Sequence, residues 1–420
     1  MDKLVVRKSG PLKGEVKISG AKNSVLKLMA ASILAEEKCI IENVPNLQDV
    51  RVMADILRAL GMGVEWIEED TLEIIPAETL LTEPPYELVQ KMRASIVTMG
   101  PLLGRTGKAR LAQPGGCAIG ERKIDLHLKG FTALSADVKQ THGCVEAVAD
   151  KLVGSTIYLD FPSVGATENI MMAAVLAEGV TIIENPAKEP ELIDLANFLN
   201  KLGANVKGAG TDAIRIRGVE RLGGATHSVL PDRIEAGTFM VAAAITAGDV
   251  LVKNIMPNHL KAITAKLIES GADVEVFDEE IRVKATYPLK AVDIKTMPFP
   301  GFPTDMQAQF MALNAISDGV STMTETIFEN RFMHATELSL MGANVKVEGH
   351  SAIVQGGAPL EGANVKATDL RAGAALVLAG LVADGPTTVH NIYHIDRGYD
   401  LFEEKLTKLG VNIERVLGNQ

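Results

Sequence analysis

Apolar and polar positions along the chain form a phrase that returns six times. A small-residue apolar helix leads into a short β-branched strand, then a second helix of mixed character, then a tight turn into another strand. The turn reads Leu60-Gly61-Met62-Gly63-Val64, Leu134-Ser135-Ala136-Asp137-Val138 and Leu202-Gly203-Ala204-Asn205-Val206. It returns as Ser270-Gly271-Ala272-Asp273-Val274, Met341-Gly342-Ala343-Asn344-Val345 and Leu409-Gly410-Val411-Asn412-Ile413. The copies lie roughly 70 residues apart, longer than common solenoid periods. The glycine falls where a helix ends in the left-handed region before the chain turns into a strand, and only the second copy replaces it, with Ser135.

The front of the phrase also repeats. Ala30–Glu36 precedes the strand-like Cys39-Ile40-Ile41-Glu42-Asn43, Met171–Gly179 precedes Val180–Asn185, and Val241–Gly248 precedes Val250–Ile255. Ala374–Leu381 leads towards Thr387–Asn391. These first helices are apolar nearly all round, which predicts burial. The second helices, such as 48–60 and 191–202, mix charge with apolar positions and should lie outside that core. Alternating stretches such as Ile214-Arg215-Ile216-Arg217 and Asn344-Val345-Lys346-Val347-Glu348 predict strands with one wet face. Six α/β units group most simply as three and three, with a seam near Gly223–Ser228, before Leu230-Pro231-Asp232. The expectation is two similar domains, each with buried helices surrounded by sheets.

Composition agrees with a large packed core: 420 residues, 47% hydrophobic, with 38 glycines for turns. Three widely spaced cysteines (Cys39, Cys117, Cys144) argue against a disulfide framework. The start of the chain lacks the apolar run of a signal peptide. The longest apolar stretch, near Ala372 to Ala383, falls short of the roughly 20 residues that span a bilayer. A cytoplasmic location without membrane association is expected. The net charge of −11 disfavours nucleic-acid binding and requires any anionic ligand to meet a local group of Arg and Lys.

Such local groups occur at the junctions of the repeat. Pro114-Gly115-Gly116-Cys117-Ala118-Ile119-Gly120-Glu121-Arg122 places a thiol among glycines with a guanidinium close by, which favours the reactive thiolate. A buried cysteine in a tight turn is the plainer reading. Lys22-Asn23 opens the first apolar helix, where a helix N-terminus beside a lysine suits an anion. Arg93 stands in an otherwise apolar run and needs a partner or a cleft. Ser163-Val164-Gly165 opens another apolar helix. Thr304-Asp305 does so in the second half, where Asp305 either caps the helix or acts as a general base. Arg331, Asp369-Leu370-Arg371 and Asp396-Arg397 add further Asp/Glu-Arg groupings. No phosphate-binding P-loop is present, and the His390/His394 pair reads as structural, so neither a metal nor an organic cofactor is expected.

Taken together these phrases resemble the enolpyruvyl transferases, over essentially the whole chain. The resemblance runs through Ser19–Asn23, the Cys117 loop, Ser163–Thr167, Leu230–Glu235, Phe302–Phe310, Glu325–His334, Ala367–Ala372 and Tyr393–Tyr399. It implies a fold of two inside-out α/β barrels with three repeated units each. One domain would span 22–230, and the other 1–21 plus 231–420, with the active site in the cleft between them. Within the family, the residues are most similar to the branch that moves enolpyruvyl from phosphoenolpyruvate to the 3′-hydroxyl of UDP-N-acetylglucosamine. That reaction releases phosphate and is the first committed step of peptidoglycan synthesis.

By that resemblance Lys22, Arg93, Arg122 and Arg397 serve the phosphate of phosphoenolpyruvate, and Arg331 and Arg371 its carboxylate. Asp305 is the base for the sugar hydroxyl. Cys117 matches the family cysteine that acts as an acid and is alkylated by fosfomycin. Asn23, Asp125, Ser163, Val164, Gly165, Thr304, Asp305 and Ile327 match positions around the nucleotide sugar, with Arg93 and Arg122 shared between the substrates. Phe161 stands where some relatives carry a lysine. The 3-phosphoshikimate branch shares the fold but neither the cysteine loop nor Pro303-Thr304-Asp305-Met306-Gln307. A non-catalytic sugar-nucleotide sensor is opposed by the intact set of Lys22, Cys117, Asp305 and Arg397.

Overall fold

The computed structural model describes residues 2–113, 119, 123–141 and 143–418. The chain divides into two compact units, crossing from one to the other after Ser19 and again after Leu230. Each unit carries three small sheets among the described residues.

In the unit formed by the middle of the chain, the leading strands are Cys39–Glu42, Lys108–Ala112 and Val180–Glu184. In the other they are Asp249–Lys253, Val320–Thr324 and Thr387–His390. Five of the sheets share one plan: the leading strand pairs antiparallel on one side and parallel with a fourth strand on the other. The sheet of the second repeat has three strands among the described residues, and no parallel fourth.

The apolar helices are the inner ones: Lys22–Ala31, Met99–Thr106, Val164–Ala174, Arg233–Ile245, Gln307–Ile316 and Leu370–Gly380. In Arg233–Ile245 every residue after the first is buried. Small side chains let these helices approach closely; a Cβ on Gly100 would stand 2.2 Å from the Asn169 carbonyl oxygen. The helix Gln48–Ala59, by contrast, carries exposed Arg51, Asp55 and half-exposed Arg58 on its outer side.

Strand Ala213–Arg217 buries Ile214 and Ile216 and exposes the residues between. Asn344–Glu348 departs from the expected alternation: Val345 is half-buried and Val347 is 44% exposed. It is the edge strand of its sheet.

The turn glycines have the left-handed backbone expected of them, with φ of 100° at Gly61, 107° at Gly203, 98° at Gly271, 92° at Gly342 and 99° at Gly410. Ser135 holds φ 73° at the same point. Its Cβ disfavours this conformation, so Ser135→Gly is expected to stabilise the protein by about 0.5–1 kcal/mol. The melting temperature should rise by about 1–3 °C; an unchanged or lower value would contradict the strain at this turn.

A second repeated device places the functional helices. Asn43, Asn185, Asn254 and Asn391 each follow a leading strand with φ between 52° and 59°. Three of them donate a side-chain amide to the residue just after the parallel strand: Asn43 to Val229 O (2.8 Å), Asn185 to Leu159 O (2.7 Å) and Asn254 to Ile18 O (2.7 Å). The segment latched by Asn185 runs within a few residues into the inner helix Val164–Ala174 of the same unit, so that latch fixes where Ser163 stands.

Two repeats lack the asparagine. In the fifth, Glu325 takes its place and accepts from Thr296 Oγ1 (2.7 Å) and Thr304 Oγ1 (3.0 Å). In the second the position is Gln113, from which the chain enters the Cys117 segment.

Candidate active site

The unit carrying the C-terminal half gathers three of the expected residues around one carboxylate. Asp305 lies in the 3₁₀ turn Thr304–Met306 ahead of an inner helix. Arg331 precedes the helix Met333–Leu340, and Arg371 is in the first turn of Leu370–Gly380, whose N-cap Asp369 accepts from the Arg371 and Ala372 N–H groups. Arg331 Nη2 donates to Asp305 Oδ1 (3.0 Å), and Arg371 Nη2 donates to Oδ2 (3.1 Å).

Both arginines are buried, at 5% and 3% exposure, and the Nη1 atom of each has no hydrogen-bond partner among the described residues. Aromatic faces support them: Phe328 lies 5.5 Å from the Arg331 guanidinium and Tyr399 lies 5.3 Å from that of Arg371. Such contacts hold a guanidinium plane in place. Glu325 fixes the surrounding backbone by accepting from the Ile327 N–H at 2.9 Å. Arg397 is half-buried after the short helix Tyr393–Asp396, and its charge, after burial, helps lower the pKa of His394.

In the other unit, Lys22 opens the helix Lys22–Ala31, which no side chain caps. Its ammonium lies 2.9 Å from Asp49 Oδ2, in the first turn of Gln48–Ala59. The Asn23 carbonyl accepts from Lys27 Nζ at 2.6 Å. Ser163 is the N-cap of Val164–Ala174 and accepts from the Ala166 N–H, 3.3 Å. Phe161 is 44% exposed, and its carbonyl accepts from the Ser163 N–H.

Arg93 opens the 3₁₀ segment Arg93–Thr98, and the exposed Asp125 opens the helix Asp125–Ala133. Both act on the buried His127, whose pKa falls to about 4: burial dominates, Arg93 lowers it further and Asp125 opposes. Its Nδ1 lies 2.8 Å from the Asn169 amide nitrogen, so it accepts there and the ring proton sits on Nε2, next to Gly165. Cys117 and Arg122 lie outside the described residues.

Three features escaped the sequence reading. Asp49 is one, and Glu325 another, although its position one residue after a leading strand matches the latch asparagines. The third is a buried network in which Ser24 Oγ bonds Asp194 Oδ2 and His227 Nε2 lies 2.8 Å from Asp194 Oδ1. The aspartate stands between serine and histidine, so the histidine cannot take the serine proton. The network joins the first inner helix to the strand Thr226–Ser228 and is structural.

Glu168, inside the helix Val164–Ala174, is fully buried with Lys27 Nζ 3.4 Å away. Burial pushes its carboxyl up to about 7 against the pull of Lys27, and the charges of Glu191 and Glu189 add to the rise. In the other unit, burial likewise raises Glu235 to about 7, opposed by Lys405. A carboxyl with a raised folded pKa binds its proton more tightly when folded. The stability it contributes is present at low pH and is lost as pH rises through about 7. The melting temperature should therefore fall less between about pH 5 and pH 8 in Glu168→Gln than in the unaltered protein. An equal fall in both would remove this assignment.

The profile of EPSP synthase (3-phosphoshikimate 1-carboxyvinyltransferase) matches residues 6–406. The chain belongs to the EPSP synthase family. That match takes in five repeats and most of the sixth, whose closing turn at 409–413 lies beyond it, together with both groups of charged residues.

Among its relatives, a protein of Caldanaerobacter subterraneus subsp. tengcongensis, named UDP-N-acetylglucosamine 1-carboxyvinyltransferase 1, is 60% identical over 98% of this chain and 99% of its own. A Carboxydothermus hydrogenoformans protein, named UDP-N-acetylglucosamine 1-carboxyvinyltransferase 2, is 58% identical over 99% of this chain and 100% of its own. Among solved structures, the enolpyruvyl transferase NikO from Streptomyces tendae superposes with a TM-score of 0.91 at 28% identity. That likeness covers 100% of this chain and 99% of NikO. The six-repeat α/β fold expected of an enolpyruvyl transferase is thus the fold of this family member.

Proposed function

We propose that this chain transfers the enolpyruvyl group of phosphoenolpyruvate to the 3′-hydroxyl of UDP-N-acetylglucosamine, releasing phosphate, as the first committed step of peptidoglycan synthesis. The observation that carries the reading is the near-full-length identity of 56–60% to relatives named UDP-N-acetylglucosamine 1-carboxyvinyltransferase.

The chemistry is addition followed by elimination. The hydroxyl oxygen bonds to C2 of phosphoenolpyruvate as its proton passes to Asp305, and C3 takes a proton supplied by Cys117. The resulting tetrahedral ketal loses one C3 proton and its phosphate, restoring the double bond on the sugar. Phosphoenolpyruvate carries a phosphate and a carboxylate, so its site needs several cations. Lys22, Arg93, Arg122 and Arg397 are assigned to the phosphate, and Arg331 and Arg371 to the carboxylate. Asn23, Asp125, Ser163, Val164, Gly165, Thr304 and Ile327 are assigned to the nucleotide sugar. The reading places the enzyme in the cytoplasm with both substrates, and makes Cys117 the point of attack by fosfomycin.

Phosphate release tests the proposal. It should require phosphoenolpyruvate and UDP-N-acetylglucosamine together. Release with shikimate 3-phosphate in place of the nucleotide sugar, and not with the sugar, would assign the chain to the other branch of the family.

A further inference from the structure

We propose that Asp305 is the resident occupant of the substrate-carboxylate site: it bridges Arg331 and Arg371 until an incoming carboxylate displaces it, and that exchange frees it to act as base. The inference rests on the proposed function and deepens it by making the base conditional on the second substrate.

Three observations carry it. First, one carboxylate is shared by two guanidinium groups, Arg331 Nη2 on Oδ1 (3.0 Å) and Arg371 Nη2 on Oδ2 (3.1 Å). That is the bridging arrangement a substrate carboxylate would adopt between the same two groups. Second, the pair is left incomplete. Each arginine keeps a buried Nη1 with no hydrogen-bond partner among the described residues. Buried charged donors are normally satisfied, so an unmet pair points to an anion yet to arrive.

Third, the partners differ in freedom. Arg331 and Arg371 are held by burial and by the faces of Phe328 and Tyr399. The Asp305 side chain is 24% exposed and sits on a single 3₁₀ turn, so it is the member that can move. While it bridges the arginines, its lone pairs on that side are directed at guanidinium N–H groups and not at a sugar hydroxyl. Exchange would leave the arginines satisfied by substrate and the aspartate unbridged beside the hydroxyl.

The test is a competition measured by calorimetry, without turnover. The probes are 2-phospholactate, which has phosphate and carboxylate but no double bond, and isopropyl phosphate, which lacks the carboxylate. Asp305→Ala should bind 2-phospholactate about tenfold or more tightly than the unaltered protein, because the internal competitor is gone. Isopropyl phosphate should change by less than about twofold. Asp305→Asn, whose amide cannot pair as an anion, should shift the same way by a smaller factor and serves if the alanine variant does not fold. Equal or weaker binding of 2-phospholactate would overturn the proposal. So would an equal gain for both probes, which would mark a general charge effect. Neither readout uses the nucleotide sugar, so failure here is separable from failure of the transfer assay.

Discussion

Asp305→Asn is expected to cut turnover about 10²–10⁴-fold, the usual loss when a general base is removed. Binding of UDP-N-acetylglucosamine should remain measurable. The substitution keeps the shape of the side chain and removes the anion that would accept the hydroxyl proton. Because that anion also occupies Arg331 and Arg371, the variant should lose kcat without a rise in KM for phosphoenolpyruvate. A residue needed only to shape the pocket would raise KM instead. Steady-state kinetics with both substrates varied make the distinction, and turnover like that of the unaltered protein would end the base role.

Cys117→Asp should keep part of the activity and lose fosfomycin labelling altogether. An acid is required to protonate C3, and a carboxyl group can also donate a proton. Opening the drug's epoxide, by contrast, requires a strong nucleophile, which a thiolate is and a carboxylate is not. Mass spectrometry after incubation with the drug should find one adduct on the unaltered protein and none on the variant. An adduct on Cys117→Asp, or on Cys39 or Cys144 in the unaltered chain, would contradict the assignment. Cys39 is a poor competitor: it is buried, and burial raises its pKa.

The repeat was legible because its signal is local. A glycine forced to positive φ at the end of each second helix is visible without knowing what the helix packs against, and Ser135 was recognisable as the exception. The apolar inner helices were legible for the same reason. Pairings between distant residues were not. Nothing near Lys3–Val6 indicates that it runs between Thr387–His390 and Ile413–Val416, because strand pairing depends on partners far along the chain.

The site shows the same division. Asp305, Arg331 and Arg371 could each be singled out as a charge in an apolar setting, yet their sharing of one carboxylate is a tertiary fact. The latch asparagines stood in view at the ends of strand phrases. Their role depends on a left-handed backbone and on a carbonyl across the sheet, neither of which a single residue type announces.

The first strand has a consequence for how the protein is made. Residues 20–230 hold every strand of their own three sheets, so that unit can close while the ribosome is still reading the remainder. Lys3–Val6 and Lys13–Lys17, which emerge before that unit, belong to sheets whose other strands, among the described residues, all come after residue 248. At ordinary elongation rates Lys13–Lys17 waits only until residues 249–284 have been made, whereas Lys3–Val6 waits about 10–40 s after residue 230 for the roughly 190 residues that carry its partners. Throughout that interval Leu4 and Val6, which end up buried, lack the strands they pair with. Lys3–Val6 is thus a segment of the nascent chain in need of chaperone protection, and a fusion placed ahead of it must not delay its late insertion.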